Sequence, residues 1–566
     1  MNPHRRFSAI SYLGASLVAF ATHSSAAQST ERVSEGPGPV EADGASRQAA
    51  LSSDGRFVAF ASGATNLVAL DTNGVDDVFL HDRSSGVTIL VSVDSLGQPG
   101  NGPSSRPAVS ADGRFVVFES DASNLDALDT NSARDVFLRD TQLGLTSLIS
   151  LDPSGLQSNG ASGDPAISAD GLFASFRILA DVYVRDLTTN MTSLVSVDQF
   201  GVNPAGSSFG SSISADGRYV AFSSQSSNVV SSDTNGVYDV FVRDTVAGVT
   251  ILVSVDTFGA QANDLSGDPA ISPDGRYVAY FSAANNLVVG DTNNKRDVFL
   301  HDLLTGQTTR VSVSSSGAEA DDSSRRPSVS MGGRFVAFYS QATNLVGGDT
   351  NGVGDIFVHD TLFGATSRMS IDGLGGESNA VSALPSISAM GAVVAFSSSA
   401  SNLVASDTNT FEDVFVRDNG PELPSSYCTP GVSSFGCVAS ISASANPSLT
   451  QAAPCIVSVV GLEGQKQGLL FYGVNNTGFN PSPWGNGFRC VKSPIKRTGA
   501  QNSGGTVGVC DGAFSLDWHT YQSNFPGALG NPWTLWERAY VQAWYRDPPA
   551  TKASNFSDGL VLTYQP

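Results

Sequence analysis

Charge is scarce in this chain. Asp, Glu, Lys and Arg make up 15% of its 566 residues, and the basic share is the smaller: 31 Lys and Arg against 53 Asp and Glu, a net charge of −22. Nucleic acid demands a basic stripe that displaces counterions, and an anionic membrane surface draws the same residues, so the balance argues against both partners. Histidine is nearly missing: beyond the first 27 residues only His81, His301, His359 and His519 remain. No H-E-x-x-H motif occurs, which removes one zinc-peptidase signature. Cysteine is absent before residue 428 and tryptophan before residue 484. No later apolar run approaches the ~20 residues that a membrane-spanning helix needs. What fills the chain is Gly (58 residues) with Ser, Thr and Val, a composition of short strands and many turns.

The N-terminus has the pattern of an export signal. His4, Arg5 and Arg6 precede a mostly apolar stretch from Phe7 to Ala21, and Ser25-Ala26-Ala27 offers small residues for cleavage. Residues 1–27 are therefore expected to be removed, leaving a secreted or periplasmic chain that begins near Gln28. At about fifteen residues the stretch is short for a membrane anchor.

One phrase recurs through the next 390 residues: SSDGRFVAFAS from Ser52, SADGRFVVFES from Ser110, SADGLFASFRI from Ser168, SADGRYVAFSS from Ser214 and SPDGRYVAYFS from Ser272. It degrades to SMGGRFVAFYS from Ser330 and SAMGAVVAFSS from Ser388. The glycines at one register (Gly55, Gly113, Gly171, Gly217, Gly275, Gly333 and Gly391) are separated by 58, 58, 46, 58, 58 and 58 residues. Each copy holds four strand signals, the first pair joined by a tight Asp-Gly turn. In Phe115-Val-Val-Phe118 both strand faces are apolar, as expected of a sheet packed on both sides. The pattern predicts an all-β chain with a seven-bladed β-propeller of four-stranded blades over residues 28–418. Register adds a closing device. Val33-Ser34 sits 20 residues before Asp54, as Val91-Ser92 sits 20 before Asp112, while the seventh copy runs out after Asp418. Glu31 to Ser34 is therefore expected to complete the last blade.

These phrases resemble the TolB-type propeller repeats, the PD40 or WD40-like family, with S-P-D-G-R-x-x-A-F-x-S nearly intact at Ser272. The likeness covers roughly residues 31–418. It implies a propeller that binds partner proteins or accompanies a peptidase. Two departures weaken the transfer: no N-terminal α/β domain precedes the repeats, and there are seven copies rather than six.

In each blade the second-to-third and fourth-to-first connections are long and share one face, so binding is expected there. The first of these loops repeats N-L-V-x-x-D-T-N-G-V-x-D-V-F. Its oxygens are Asp71, Asn73 and Asp77; Asp129, Asn131 and Asp135; Asp233, Asn235 and Asp239; Asp291, Asn293 and Asp297; Asp349, Asn351 and Asp355; Asp407, Asn409 and Asp413. Two readings fit: part of a Ca²⁺ loop, or an Asx-turn repeated with the blade. The mouth of the channel on this face is expected to carry Gln48, Arg106, Asp164, Gly210, Asp268, Arg326 and Leu384, one opening each innermost strand. Two Arg and two Asp there suit a polar ligand or a peptide end, or else pair with each other. His81, His301 and His359 share one third-strand position with Arg139, Arg185, Arg243 and Arg417, which points to a common structural hydrogen bond.

Composition changes after Asp418. A Pro/Ser-rich linker, residues 419–427, leads to a segment at 428–566 holding all five Cys and all five Trp. Alternation in Cys455-Ile-Val-Ser-Val-Val predicts a small β-sandwich. Pairing cannot be read from spacing; Cys428–Cys437 and Cys490–Cys510, with Cys455 free, is the expectation carried forward. Trp533, Trp536 and Trp544 could stack on sugar rings or pack a core. The leading functional expectation is an exported, non-enzymatic scaffold binding a protein, peptide or surface polysaccharide. A calcium-dependent adhesin and a propeller-type polysaccharide lyase or hydrolase are the alternatives.

Overall fold

The computed structural model describes residues 29–38, 40–198, 200–204, 206–418, 425–427, 437–447, 455–474, 482–484, 487–489, 491–507, 509–525, 528, 538–546 and 554–563. The expected leader, most of the linker, Cys428 and Cys490 lie outside these described residues.

The second copy shows how each repeat folds. Its strands are Ser104–Val109, Phe115–Ser120, Asp135–Asp140 and Leu145–Leu148, paired antiparallel in chain order. Gly113 makes the first turn at φ 72°, and a Cβ on it would lie 2.4 Å from the Phe57 ring of the preceding copy. The glycine thus serves both the turn and the approach of two sheets. Alternation then decides what each strand buries. Val116 and Phe118 pack with Ala59, Val78 and Leu80 of the preceding sheet, whereas Val117 packs with Ala174 and Phe176 of the following one. Both faces are apolar because both are covered.

Seven four-stranded antiparallel sheets form in this way among the described residues. In order they span residues 46–90, 104–148, 162–194, 208–252, 266–310, 324–368 and 382–418. The last has three strands of its own and takes its fourth, Thr30–Arg32, from the N-terminus, with Thr30 opposite Arg417 and Arg32 opposite Phe415. The regular pairing is displaced by one residue from the expected Glu31–Ser34, but Val33 N still donates to Val414 O at 2.9 Å. First strands of successive sheets pack side by side, and the seventh packs on the first. Val58, Phe60 and Phe79 share a buried cluster with Val393, Ala395, Val414 and Val416, and Ala389 N donates to Ser53 O at 3.0 Å. The architecture is that of a β-propeller.

The C-terminal segment is also mostly β. Ser440–Ala443, Ile456–Leu462 and Gly512–Asp517 form one sheet. A larger sheet centres on Gln467–Gly473, Arg538–Arg546 and Ser554–Thr563. A short helix, Trp518–Asn524, is capped by the Asp517 side chain, which accepts from Thr520 N. Trp518, Tyr472, Tyr545 and Leu470 are buried in the core between them.

Candidate binding face

The two long loops lie side by side. Asn124, in a second-to-third loop, accepts from Asn101 N at 2.8 Å and donates to Pro99 O at 3.0 Å, both in the loop that enters the same sheet. Side-chain amides thus stitch the face together, and the same exchange links Asn402 with Asn379 N and Glu377 O.

The seven residues expected at the mouth share a backbone state that the sequence does not announce. Rather than opening its strand, each sits at its third position inside a bulge, where pairing with the second strand slips; in the second sheet the slip falls between Ser105 and Ala108. All seven have left-handed φ: Gln48 59°, Arg106 49°, Asp164 53°, Gly210 65°, Asp268 47°, Arg326 54° and Leu384 57°. Six are not glycine, and left-handed backbone costs a non-glycine residue on the order of 1–3 kcal/mol. Three of the seven are linked in turn. Gln48 Oε1 accepts from Arg106 N at 3.0 Å, Arg106 pairs with the Asp164 carboxylate, and Asp164 O accepts from Ser211 Oγ at 3.0 Å.

Charge is unevenly distributed around this ring. Near the second and third sheets Arg106, Arg134 and Arg177 are paired with Asp164, Glu119 and Asp121. Near the fifth and sixth sheets, no carboxylate among the described residues stands in ion-pair range of Arg296, Arg325 or Arg326. Arg296 lies over the Phe281 ring and Arg325 over Tyr339, at 5.4 and 5.2 Å. Burial pushes the Asp268 carboxyl up, and the charges of Arg326, Arg325, Arg296 and Arg106 pull it back. Burial likewise pushes the Glu412 carboxyl up, and Arg47 and Arg326 pull it back, so three arginines here face two buried carboxylates.

The oxygens proposed for calcium have other partners. In every loop the Asn acts as a turn residue: Asn235 Oδ1 accepts from Val237 N at 3.0 Å while its Nδ2 donates to Asp239 and to Ala262 O. It therefore presents nitrogen, not oxygen, to the aspartate. In five loops the space between the two aspartates is filled from within the chain, in two ways. In the second and fourth sheets a glutamine amide bridges them: Gln157 Nε2 donates to Asp129 and Asp135 at 2.9 and 2.8 Å, and Gln261 Nε2 to Asp233 and Asp239 at 2.8 and 2.9 Å. In the fifth, sixth and seventh sheets the equivalent residue is a glutamate, which cannot donate, and an arginine bridges instead. Arg310 Nη1 lies 3.4, 3.4 and 2.9 Å from Asp291, Asp297 and Glu319. Arg368 lies 3.2, 3.5 and 3.0 Å from Asp349, Asp355 and Glu377. Arg32, lent by the N-terminal strand, lies 3.4, 3.6 and 3.1 Å from Asp407, Asp413 and Glu41. A guanidinium or amide already stands where a metal would, so the calcium expectation at Asp129, Asn131, Asp135, Asp233, Asn235, Asp239, Asp291, Asn293, Asp297, Asp349, Asn351, Asp355, Asp407, Asn409 and Asp413 is corrected on this geometry. No group of three or more His, Cys, Asp or Glu among the described residues is arranged to hold a metal.

His81, His301 and His359 each share a hydrogen bond with a fourth-strand threonine, at 2.8–2.9 Å, and Arg139, Arg185 and Arg243 meet the same position. Gly206-Ser207-Ser208-Phe209-Gly210 matches the G-x-S-x-G spacing of a nucleophile elbow. Ser208 opens a strand instead of standing on a strand-to-helix elbow, and its buried hydroxyl donates to Ser224 Oγ at 3.0 Å. Among the described residues the disulfide is Cys437–Cys510, which takes one cysteine from each expected pair; residues 73 apart meet because the folded sheets bring them to a Cα separation of 5.4 Å. Cys455 is free and buried, its thiol pushed up to about 12 by burial. Trp518 is buried edge-on to Tyr472, and Trp544 packs against the Phe471–Phe556 cluster, which spends both on packing. Trp533 and Trp536 lie outside the described residues.

No protein-family model matches the sequence, and no curated protein matches it. Solved structures similar to it include a putative TolB from Agrobacterium tumefaciens, at 14% identity and a TM-score of 0.31, covering 50% of this chain and 83% of that one. The dihydro-heme d1 dehydrogenase NirN in complex with DHE is 16% identical, TM-score 0.35, covering 66% of each chain. Dipeptidyl peptidase 4 from Porphyromonas gingivalis is 12% identical, TM-score 0.35, covering 75% of this chain and 65% of that one. The chain thus spans just under two thirds of the latter two proteins.

Proposed function

We infer that the chain is an exported, non-enzymatic binding protein: a seven-bladed propeller, closed by its N-terminal strand, that holds an anionic end of a peptide, protein or surface polymer at the mouth of its long-loop face. The observation that carries this reading is the trio Arg296, Arg325 and Arg326 beside Asp268, on a ring of left-handed backbone. Strained backbone persists where surrounding structure enforces it, and binding sites are a common place for it. Guanidinium groups laid on aromatic faces are pre-organised donors for carboxylate or phosphate. Asp268 supplies a polar counterpart for an amide or hydroxyl. Nothing at the mouth resembles a nucleophile paired with a base, so the reading stops at binding.

The test is calorimetric titration of the chain with an acidic peptide bearing a free C-terminal carboxylate, with its C-terminal amide, and with an oligogalacturonate. One of the carboxylate probes is expected to bind, and the R325A/R326A variant to lose at least about tenfold in affinity, roughly 1.4 kcal/mol. Binding of none of these probes, or unchanged binding in the variant, overturns the reading.

A further inference from the structure

In five of the six Asp-x-Asn loops one donor from the chain bridges both aspartates. In the first sheet Asn73 and Ser92 donate to Asp77 alone, and no donor bridges Asp77 to Asp71. The bridging residue stands at a fixed place, paired across the loop as Leu151 with Gln157, Val255 with Gln261, Val313 with Glu319 and Ile371 with Glu377; in the first sheet the same bridge is Val93 with Pro99. Nine residues earlier, where Arg310 and Arg368 stand in the fifth and sixth sheets, the first has Leu90. Proline and leucine side chains donate nothing.

The consequence is visible at Asp71. It is 6% exposed, and neither carboxylate oxygen accepts from a side chain; the nearest donor is the backbone N–H of Asn73. Its equivalents, Asp129 and Asp233, share an unpartnered Oδ2 but each has Oδ1 accepting from a glutamine, the bond that Asp71 lacks. Asp77 is fully buried beside it and accepts from Asn73 at 2.6 Å through Oδ2, the oxygen that takes a second donor in the glutamine-bridged loops. Burial pushes both carboxyls up, Asp77 to about 6, and the Asp71 charge adds to the shift on Asp77. Two buried carboxylates that share one missing donor demand a positive partner.

We propose that the loop of the first sheet binds one hard metal cation of calcium's class between Asp71 and Asp77, at the place that a guanidinium or amide nitrogen occupies in the sibling loops. Three siblings show that the frame accepts positive charge there, with nitrogen 3.2–3.6 Å from both aspartates. Asp71 supplies two oxygens and Asp77 a third, and water completes a shell that calcium fills flexibly. A proton shared by the pair is the competing occupant.

Equilibrium dialysis of the chelator-stripped full chain against Ca²⁺ at pH 7 decides between them. One ion per chain is expected, with a rise in the thermal midpoint. Pro99→Gln installs the glutamine of the second and fourth sheets, so it should abolish binding while the far-ultraviolet dichroism stays unchanged; Asp71→Asn should abolish it independently. R325A/R326A should keep the ion, which separates this site from the mouth. No bound Ca²⁺ (the proton alone), several ions per chain, or binding that survives Pro99→Gln would overturn the proposal.

Discussion

The second and sixth sheets solve one problem with different side chains. In the second, Leu148 and Gln157 leave the aspartates bridged by a neutral amide; in the sixth, Arg368 and Glu377 bridge them by charge. Gln157 and Glu377 have the same shape, and each gives one oxygen to the amide of a threonine, Thr130 or Thr350, at 2.9 and 3.0 Å. They differ in one terminal atom. The Gln157 nitrogen reaches the aspartates directly, whereas Glu377 has only oxygens: Oε2 accepts from Thr350 N and from Arg368, nine residues earlier, which carries the bridge. The lesson is that the two positions form one unit, and substituting either alone leaves a buried carboxylate without its donor.

The comparison can be broken most severely at Arg368. Replacing it alone with leucine strands Asp349, Asp355 and Glu377, and is expected to cost about 3–5 kcal/mol, read as a shift in the denaturant midpoint. Adding Glu377→Gln rebuilds the arrangement of the second sheet and should recover most of the loss. A double variant no more stable than R368L would show that the two loops are not interchangeable.

A smaller effect separates the buried aspartates by pH. In the chelator-treated, metal-free chain Asp77, Asp239, Asp291 and Asp407 are raised by burial to about 6 from an ordinary 3.8. A raised acid stabilises the fold fully below its unfolded value and loses that contribution as pH climbs through 6. Asp186, Asp244 and Asp302, lowered to about 2 by hydrogen bonds and ion pairs, act only below 3.8, where their contribution is lost. His81, His301 and His359, lowered by burial, oppose the aspartates below pH 6.5 but are fewer. Stability is therefore expected to rise as pH falls from 7 to 5 and to turn over below 4. A monotonic fall from pH 7 downward, in denaturant titrations at fixed ionic strength, would contradict it.

The smallest effect is expected where an ion pair lies in water. Lys295 and Asp322 pair at 3.0 Å with side chains 40% and 45% exposed. Lys295→Ala should shift the midpoint little, as exposed ion pairs contribute little. A loss comparable to that of R368L would mean that burial is not what distinguishes the two pairs.

Much of this was legible in the sequence. Seven glycines at one register mark seven sheets, and the position of Ser34 relative to Asp54 predicted that a strand from the N-terminus joins the last one. Structure explains why the second inference worked: Ser34 donates to Asp413 as Ser150 does to Asp135, at 2.6 Å in both. The bulge at the mouth was hidden. Nothing in Arg106-Pro107 or Asp268-Pro269 signals a left-handed residue, because the conformation is imposed by neighbouring sheets. The Cys437–Cys510 bond was hidden too, since pairing follows proximity in the fold. The bridging unit was present all along: Leu and Gln occur together at 148/157 and 252/261, Arg and Glu at 310/319 and 368/377. Reading the loop as a metal site drew attention to its oxygens and away from the donors that answer them.

The strand Thr30–Arg32 also sets a timetable. It pairs with residues 387 positions later in the chain, and the same short stretch brings Arg32, Ser34 and Glu41 to the seventh sheet. During synthesis six sheets can assemble in order as they emerge, each from contiguous chain. The seventh has to wait until the last repeat has been made, while the first residues of the repeat region remain without a partner. Such a chain commits to its final form late, after its beginning and its end are both present.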